Sequence, residues 1–570
     1  MQRIFGLALG IMCCCAAGHV VAATLYVDGQ ISPASTTAYN PATRAATGGT
    51  ATCYKTLAGA SGAAQAGDSV LVRAGTYAET LTPTRSGTAA QPITYARYGT
   101  EDAIISGNLT PAIIISNRSY LVMDGLKIQN VVRWMYALNA HHNVIKNCTF
   151  LKATDSGGSS KTGLFFQDAT YNRLLNNRIE DSTQDNLTLI RSDRNLIEGN
   201  TILKAKHTLW TIKAGNFNVL RNNYFHNQIQ KIGEIYDADG VGFDHEITAL
   251  NATKRNVVEG NEFAFTASSG NASPYAGIQY AGQQGIIRRN RFYDCIGPAL
   301  DLTQYANEAQ YNTDNRVYHN VFTKSAFAGV SLAGSSTNFS GNIFKNNILA
   351  KSRFVANDTR WPWYTDTLNG KYMQLLAGGL NGFFFTGNSF YGSTGNDELY
   401  VITNGRRDSS SNPAPHGLSW WQANHPALFA GNIEREPQWV NEAGHDYHLR
   451  AGSPMIDAGV FLTTTAAAGS GTQLTVADAS YFCDGFGIPG LTGDVIQLEG
   501  QTETATITAV NYATNTLTLS RSLTWMAGKG VALAFAGTKP DLGAFEYLAA
   551  NTPPQIDSFP WANPNPTIVR

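Results

Sequence analysis

The chain has 570 residues, of which only 15% are charged and 55 are glycine, with a formal net charge of −1. That balance excludes a basic field for nucleic acid and a polybasic membrane patch. Low charge with abundant Gly, Asn, Thr and Val fits an all-β extracellular protein better than a helical one.

The first residues have the layout of a secretion signal. Arg3 supplies the positive start, Ile4 to Ala17 the apolar core, and Val21-Ala-Ala23 a small-residue cleavage site. Residues 1–23 are therefore expected to be removed, and the mature chain to be secreted without a membrane span. Cys13, Cys14 and Cys15 leave with that segment. Cys53, Cys148, Cys295 and Cys483 remain, and Cys148 and Cys295 read as buried thiols.

From residue 24 to about 110 come short strands and turns, such as Gly67-Asp-Ser-Val-Leu-Val-Arg-Ala-Gly-Thr-Tyr77. From about Ser119 to Gly392 one phrase recurs: Asn195-Leu-Ile-Glu-Gly-Asn-Thr-Ile202, Asn218-Val-Leu-Arg-Asn-Asn-Tyr-Phe225, Asn256-Val-Val-Glu-Gly-Asn-Glu-Phe263. Its second asparagine falls at 177, 200, 223, 261, 290, 320, 347 and 388, with gaps of 23, 23, 38, 29, 30, 27 and 41 residues. A strand–turn–strand repeat of this period marks a solenoid, and an asparagine side chain can bond the backbone of the next coil. The fold expected is all-β: a right-handed parallel β-helix over residues 24–462, with an N-terminal cap and a terminating segment. Residues 463–537 alternate as separate strands and read as a small inserted β-module, structural rather than carbohydrate-binding. Residues 538–550 return to the helix end, and 551–570 form a Pro-rich tail.

Upstream of each asparagine phrase lies another strand: Leu164–Gln167, Leu187–Ile190, Trp210–Lys213, Val241–Asp244, Ile278–Ala281, Leu300–Thr303 and Val330–Ala333. Alternation sends the first and third residue of each quartet to the core and the second and fourth to solvent. One outward row then reads Phe165, Thr188, Thr211, Gly242, Gln279, Asp301, Ser331, and the other includes Ile190, Lys213 and Asp244. Lys213 and Asp244 are expected on neighbouring rungs, about 4.8 Å apart, with Asp301 two rungs further.

The long gap after Asn223 holds Glu234, Asp237, Asp239, Asp244, His245 and Glu246 in an otherwise charge-poor chain. Several carboxylates so close suit Ca2+, and Asp237, Asp239, Asp244 and Glu246 are its candidate ligands. Lys213 and His207 are candidate proton acceptors, and Asp244 and Asp301 candidate catalytic carboxylates. Gln279, Lys254, Trp361 and Trp363 are candidate substrate contacts, the tryptophans as platforms for sugar rings.

The opening Gly67–Tyr77, the segment Gly87-Thr-Ala-Ala-Gln-Pro-Ile-Thr94 and the Asn-x-Val-x-x-Asn coils resemble the alginate lyase and chondroitinase B-like polysaccharide lyases. The resemblance spans roughly residues 24–400. It implies a β-helix enzyme in which Ca2+ neutralises a uronate carboxylate, a lysine takes the C5 proton and an arginine assists. Asp244-His-Glu246 matches the acidic pair; Asn251 stands where that family has lysine, and Lys213 lies upstream. The expected function is Ca2+-assisted β-elimination on an acidic extracellular polysaccharide, by a monomer. The alternatives are a glycoside hydrolase using paired carboxylates on the same face, and a non-catalytic glycan-binding or adhesin solenoid.

Overall fold

The computed structural model describes residues 22–155, 163–227, 232–236, 253–264, 276–302, 312–332, 339–353, 372, 374–377, 382–393, 398–401 and 416–548. The residues through 21, the stretch 237–252, residues 354–371 and the residues from 549 lie outside these. So do Asp237, Asp239, Asp244, Glu246, Trp361 and Trp363.

Three long sheets run the length of a right-handed parallel β-helix: sheet 1 with 16 strands, and sheets 2 and 3 with 12 each. One coil passes Leu196–Glu198 in sheet 1, Thr201–Ala205 in sheet 2 and Trp210–Lys213 in sheet 3. The helix begins earlier than the repeated phrase does, because Thr24–Val27, Ser69–Val72 and Ile93–Arg97 already pair as successive rungs of sheet 1. Among the described residues, no helix is long and apolar enough to cross a membrane.

The asparagine column forms one continuous amide ladder. The backbone N–H and Nδ2 of Asn200 both donate to Asn223 Oδ1, at 2.9 and 3.0 Å, and Nδ2 also donates to Leu174 O. The same pattern links Asn223 to Asn261, Asn261 to Asn290, and onward through Asn320, Asn347 and Asn388 to Asn432. Cys148 begins the column with only its backbone donor, on Asn177 Oδ1. Gln422 ends it: its Oε1 accepts the backbone N–H of Asn432 at 2.9 Å. A second column, at the turn between sheets 3 and 1, runs through Asn143, Asn172, Asn195, Asn218 and Asn256. It resumes at Asn315 and Asn342. At the rung between, Gly285 donates its N–H to Asn315 Oδ1, and the Tyr280 hydroxyl donates there in place of an amide. A Cβ at Gly285 would meet that hydroxyl at 1.8 Å, so the substitution requires glycine.

Inside the coils, Phe225, Phe263, Phe292 and Phe322 stand on successive rungs of sheet 2, with ring centroids 5.0, 4.3 and 5.0 Å apart. The short helix Leu57–Ala63 sends Leu57 and Ala60 into one end of this core, and Leu418–Asn424 sends Leu418 and Trp421 into the other. Cys53, Cys148, Cys295 and Cys483 are free and buried, as buried thiols should be.

The chain's own C-terminal part packs on two of the three sheets. Residues 463–533 form a six-stranded antiparallel sheet whose core joins Leu196, Val219, Val257, Ile286 and Tyr318 of sheet 1. Arg288 is buried in that seam, donating to Glu259 at 2.7 Å and to Asp494 at 2.6 Å. Burial opposes its charge, but the two carboxylates hold its proton more tightly than in an ordinary arginine. On sheet 2, Trp439, Tyr447, Leu449, Met455, Leu542 and Ala544 pack over Tyr293, Val321 and Ile348. Sheet 3 takes no part in these two clusters among the described residues.

The ladder gives a direct test. Asn223→Ala strips the acceptor from two Asn200 donors and the donor from Ile197 O, all buried. At about 1–3 kcal/mol per unsatisfied group, partly offset by relaxation, the loss should reach roughly 2–5 kcal/mol. Cys148→Asn adds the missing amide at the ladder's start and should be neutral to about 1 kcal/mol stabilising. Urea unfolding midpoints of the two variants would check both signs.

Candidate functional site

The strand pairing of sheet 3 defines what lies side by side. The outward row is Phe165, Thr188, Thr211, Glu234, Gln279, Asp301 and Ser331, each the partner of the next. Glu234 takes the place expected for Gly242, because the strand in this coil is Gly233–Tyr236 and not Val241–Asp244. The cause is a glycine at an inward position. Gly233 faces Trp210, and a Cβ there would meet the indole Cζ2 at 2.1 Å, so the strand lacks the apolar mark its neighbours carry. The partner of Lys213 is accordingly Tyr236, not Asp244, and the Lys213 Nζ lies 5.5 Å from the Tyr236 ring centroid.

The row also differs from expectation in burial. Thr188, Thr211 and Glu234 are buried rather than solvent-facing. Groups from the preceding turns lie over them. Asp185 sits two residues before Leu187–Ile190, and its Oδ2 is 3.3 Å from both Thr188 Oγ1 and Thr211 Oγ1. The Thr208 and Thr211 hydroxyls are hydrogen-bonded at 2.8 Å, and the Thr211 hydroxyl is also 3.5 Å from Glu234 Oε2. Tyr236 donates its hydroxyl to Glu234 Oε1 at 3.1 Å.

His207 joins this group from the turn one coil on. Its backbone N–H donates to Gln184 O, and its Nδ1 lies 2.6 Å from Asp185 Oδ1. Its Nε2 lies 3.9 Å from Glu234 Oε1. The Asp185 and Glu234 side chains are each 1% exposed, whereas that of His207 is 39% exposed. Burial would raise the Asp185 pKa, but the hydrogen bond and charge of His207, then Lys213 and Thr208, bring it below the ordinary carboxylate range. An ionised Asp185 carboxylate can only accept a hydrogen bond, and its histidine partner is Nδ1 of His207.

Around this centre, Lys213 is 9% exposed and Asp301 7%. Asp301 lies two rungs beyond Glu234, roughly 10 Å along the axis. Lys254 is not in the row; it sits in the turn leading to sheet 1, with its N–H donating to Asn216 Oδ1. Thr253, beside it, donates its hydroxyl to Tyr236 O. Tyr236 and Thr253, the described residues on either side of 237–252, are thereby joined next to Glu234. Arg133 stands two rungs before Asp185, two residues ahead of its own strand, paired with Asp155 and Tyr136. Among the described residues, no cluster of three His, Cys, Asp or Glu side chains is set to hold a metal ion.

Asp185 and Arg133 were not singled out by sequence. A signal existed for Asp185: it precedes His207 by 22 residues, close to one 23-residue coil, so the two fall on adjacent rungs of one turn.

The family model described as "Right handed beta helix region" matches residues 111–277. "Uncharacterized protein YwoF" of Bacillus subtilis (strain 168) is 27% identical over 443 residues, covering 70% of this chain and 87% of that protein. Among solved structures, pectate lyase Pel9A is similar at 14% identity, with 93% of this chain and 98% of that one covered and a TM-score of 0.40. The PL6 family alginate lyase AlyGC has 16% identity, coverage of 56% and 50%, and a TM-score of 0.32. XylC, solved with xylose, has 9% identity, coverage of 90% and 100%, and a TM-score of 0.38.

The lowered Asp185 pKa carries a pH signature. A carboxylate depressed on folding contributes stability above its unfolded pKa, and that contribution disappears as pH falls through the folded value. Asp185→Asn should therefore be less stable than wild type at pH 7, and the gap should close as the solution is acidified below about pH 4. Melting curves of the two proteins across that range measure it.

Proposed function

We propose that this chain is a secreted β-helix enzyme that degrades an acidic, uronate-containing polysaccharide by β-elimination on sheet 3. One observation carries the reading. Among the described residues, the sheet left out of the chain's own C-terminal docking clusters bears Glu234, Gln279 and Asp301 along one outward row, with Lys213 in the neighbouring row and His207 in the turn leading into the sheet. The segments that resemble alginate lyase and chondroitinase B-like enzymes add to it, and the signal-like N-terminus supports export.

In this reading a polymer lies along the outward row, with Gln279 and Asp301 holding sugar hydroxyls beyond the reacting residue. Lys254 and the Trp361 and Trp363 rings extend the contact. Lys213 and Arg133 offer positive charge to uronate carboxylates. A base, Lys213 or His207, removes the C5 proton. The released electron pair forms the C4–C5 double bond, the C4–O4 bond breaks, and the departing oxygen takes a proton from water.

Calcium belongs to the same proposal. Asp237, Asp239, Asp244 and Glu246 offer the hard oxygen ligands it prefers, on the stretch of sequence between Tyr236 and Thr253. Bound there, the ion would neutralise the substrate carboxylate and so acidify the α-proton.

Hydrolysis is the second reading, favoured by the presence of two carboxylates, Glu234 and Asp301, on one outward row. A panel of uronate polymers separates the two when ultraviolet absorbance and reducing ends are read together. Elimination gives both signals, and chelation should lower them until Ca2+ is restored. Reducing ends without absorbance would replace elimination by hydrolysis. Activity that survives chelation would remove the metal. Binding without cleavage would leave a glycan-binding solenoid.

A further inference from the structure

Resting on the elimination reading above, we infer that His207 is the group that takes the proton on sheet 3, and that Asp185 is its positioning residue. Of the two candidate bases, His207 is the reachable one. Its side chain is 39% exposed, whereas Lys213 is 9% exposed, with its charge acting on Asp185 and its ammonium over the Tyr236 ring.

Among the described residues, the imidazole is hydrogen-bonded on one side only. The Asp185 carboxylate, anchored beside the Thr188 and Thr211 hydroxyls, accepts Nδ1–H at 2.6 Å. That bond selects the tautomer in which Nε2 carries a lone pair, the form a general base needs. The turn carrying Asp185 is itself fixed: Asn186 donates to Leu203 O at 2.7 Å, and Ser182 donates its hydroxyl to Gln184 O. Gln184 O in turn accepts the His207 N–H. Adjacent rungs of the β-helix thus set the spacing of acid and imidazole.

Nε2 faces Glu234 Oε1 across 3.9 Å, too far for a hydrogen bond and close enough for the charge to be felt. When Nε2 gains the C5 proton, the imidazolium lies between two carboxylates, Asp185 and Glu234. The Lys213 charge also acts on Asp185, and Tyr236 donates to Glu234. The electron pair of the broken C5–H bond becomes the C4–C5 double bond. The C4–O4 pair departs on the glycosidic oxygen, which takes a proton from water, and the imidazolium returns its own to solvent through the exposed edge. Lys213 then acts as a fixed cation rather than as the base.

The test combines a spectrum with a rate. Histidine-selective 15N labelling, with His207→Gln used to assign the resonance, should find wild-type His207 as the Nδ1–H tautomer at neutral pH. Asp185→Asn should lose that preference. On a uronate polymer that wild type cleaves, the same variant should lower kcat/KM by ~100-fold or more and displace the pH profile. His207→Gln alters a partly exposed side chain and should cost at least as much, which guards against a misfolded Asp185 variant. A wild-type Nε2–H tautomer overturns the inference. So does an Asp185→Asn enzyme within ~3-fold of wild type with an unchanged pH profile. Wild type that releases no unsaturated product overturns the elimination reading instead.

Discussion

The structure depends on one requirement: a buried amide must find partners for two donors and an acceptor. Along the column from Asn177 to Asn432, that is met only when each coil stands one rung above the last. The ladder therefore fixes register at the turn between sheets 1 and 2 and permits no extra residue there. Spare length must leave elsewhere. The 38-residue interval from Asn223 to Asn261 keeps the same 2.9 Å amide contact as the 23-residue intervals before it. The ends obey the same rule in different ways: Cys148 starts with a backbone donor alone, and Gln422 closes with a carboxamide brought by a helix.

A rigid ladder makes the faces of the β-helix unequal. The module at 463–533 and the segments around Trp439 and Leu542 take sheets 1 and 2 as docking floors, through apolar contacts and the Arg288 ion network. A network of this kind contributes little net stability over apolar packing, yet it allows few alternative orientations. The module is therefore held in place by the same coils that carry the site. Sheet 3 keeps its polar row, and the turns leading into it supply Asp185 and His207 from consecutive rungs. A carboxylate, an imidazole and a second carboxylate meet there without any long loop to position them.

Much of this was readable from residue order, and the remainder has physical reasons. The asparagine phrase disclosed the fold because it joins a periodic polar residue to alternating apolar ones. It also disclosed the outward neighbours Thr188, Thr211, Gln279, Asp301 and Ser331, since coils of constant composition align by inspection. It failed at Gly233. There the core wanted an absence of side chain, to admit Trp210, and an absence leaves no apolar signal. Asp185 escaped for another reason: it lies in a turn, where strand alternation assigns no direction, and only the pairing of successive turns shows what it touches. The second asparagine column was present in every repeated phrase, at Asn195, Asn218 and Asn256. Its break at Gly285, filled by the Tyr280 hydroxyl, hides its length.

The docking of the C-terminal part on sheet 1 bears on how the protein is made. Leu196, Val219, Val257 and Ile286 form an outward apolar stripe whose cover, Leu474, Ile496, Leu517 and their neighbours, comes from the much later segment 462–535. During synthesis the solenoid is thus chemically unfinished after its last coil, with an adhesive flank awaiting its lid. A chain ended by mutation or cut before residue 463 would keep every coil, and the amide ladder with it, yet would carry that bare flank into the crowded surroundings of newly made proteins. Early termination in this architecture yields a sticky rod, and not a smaller working copy of the protein.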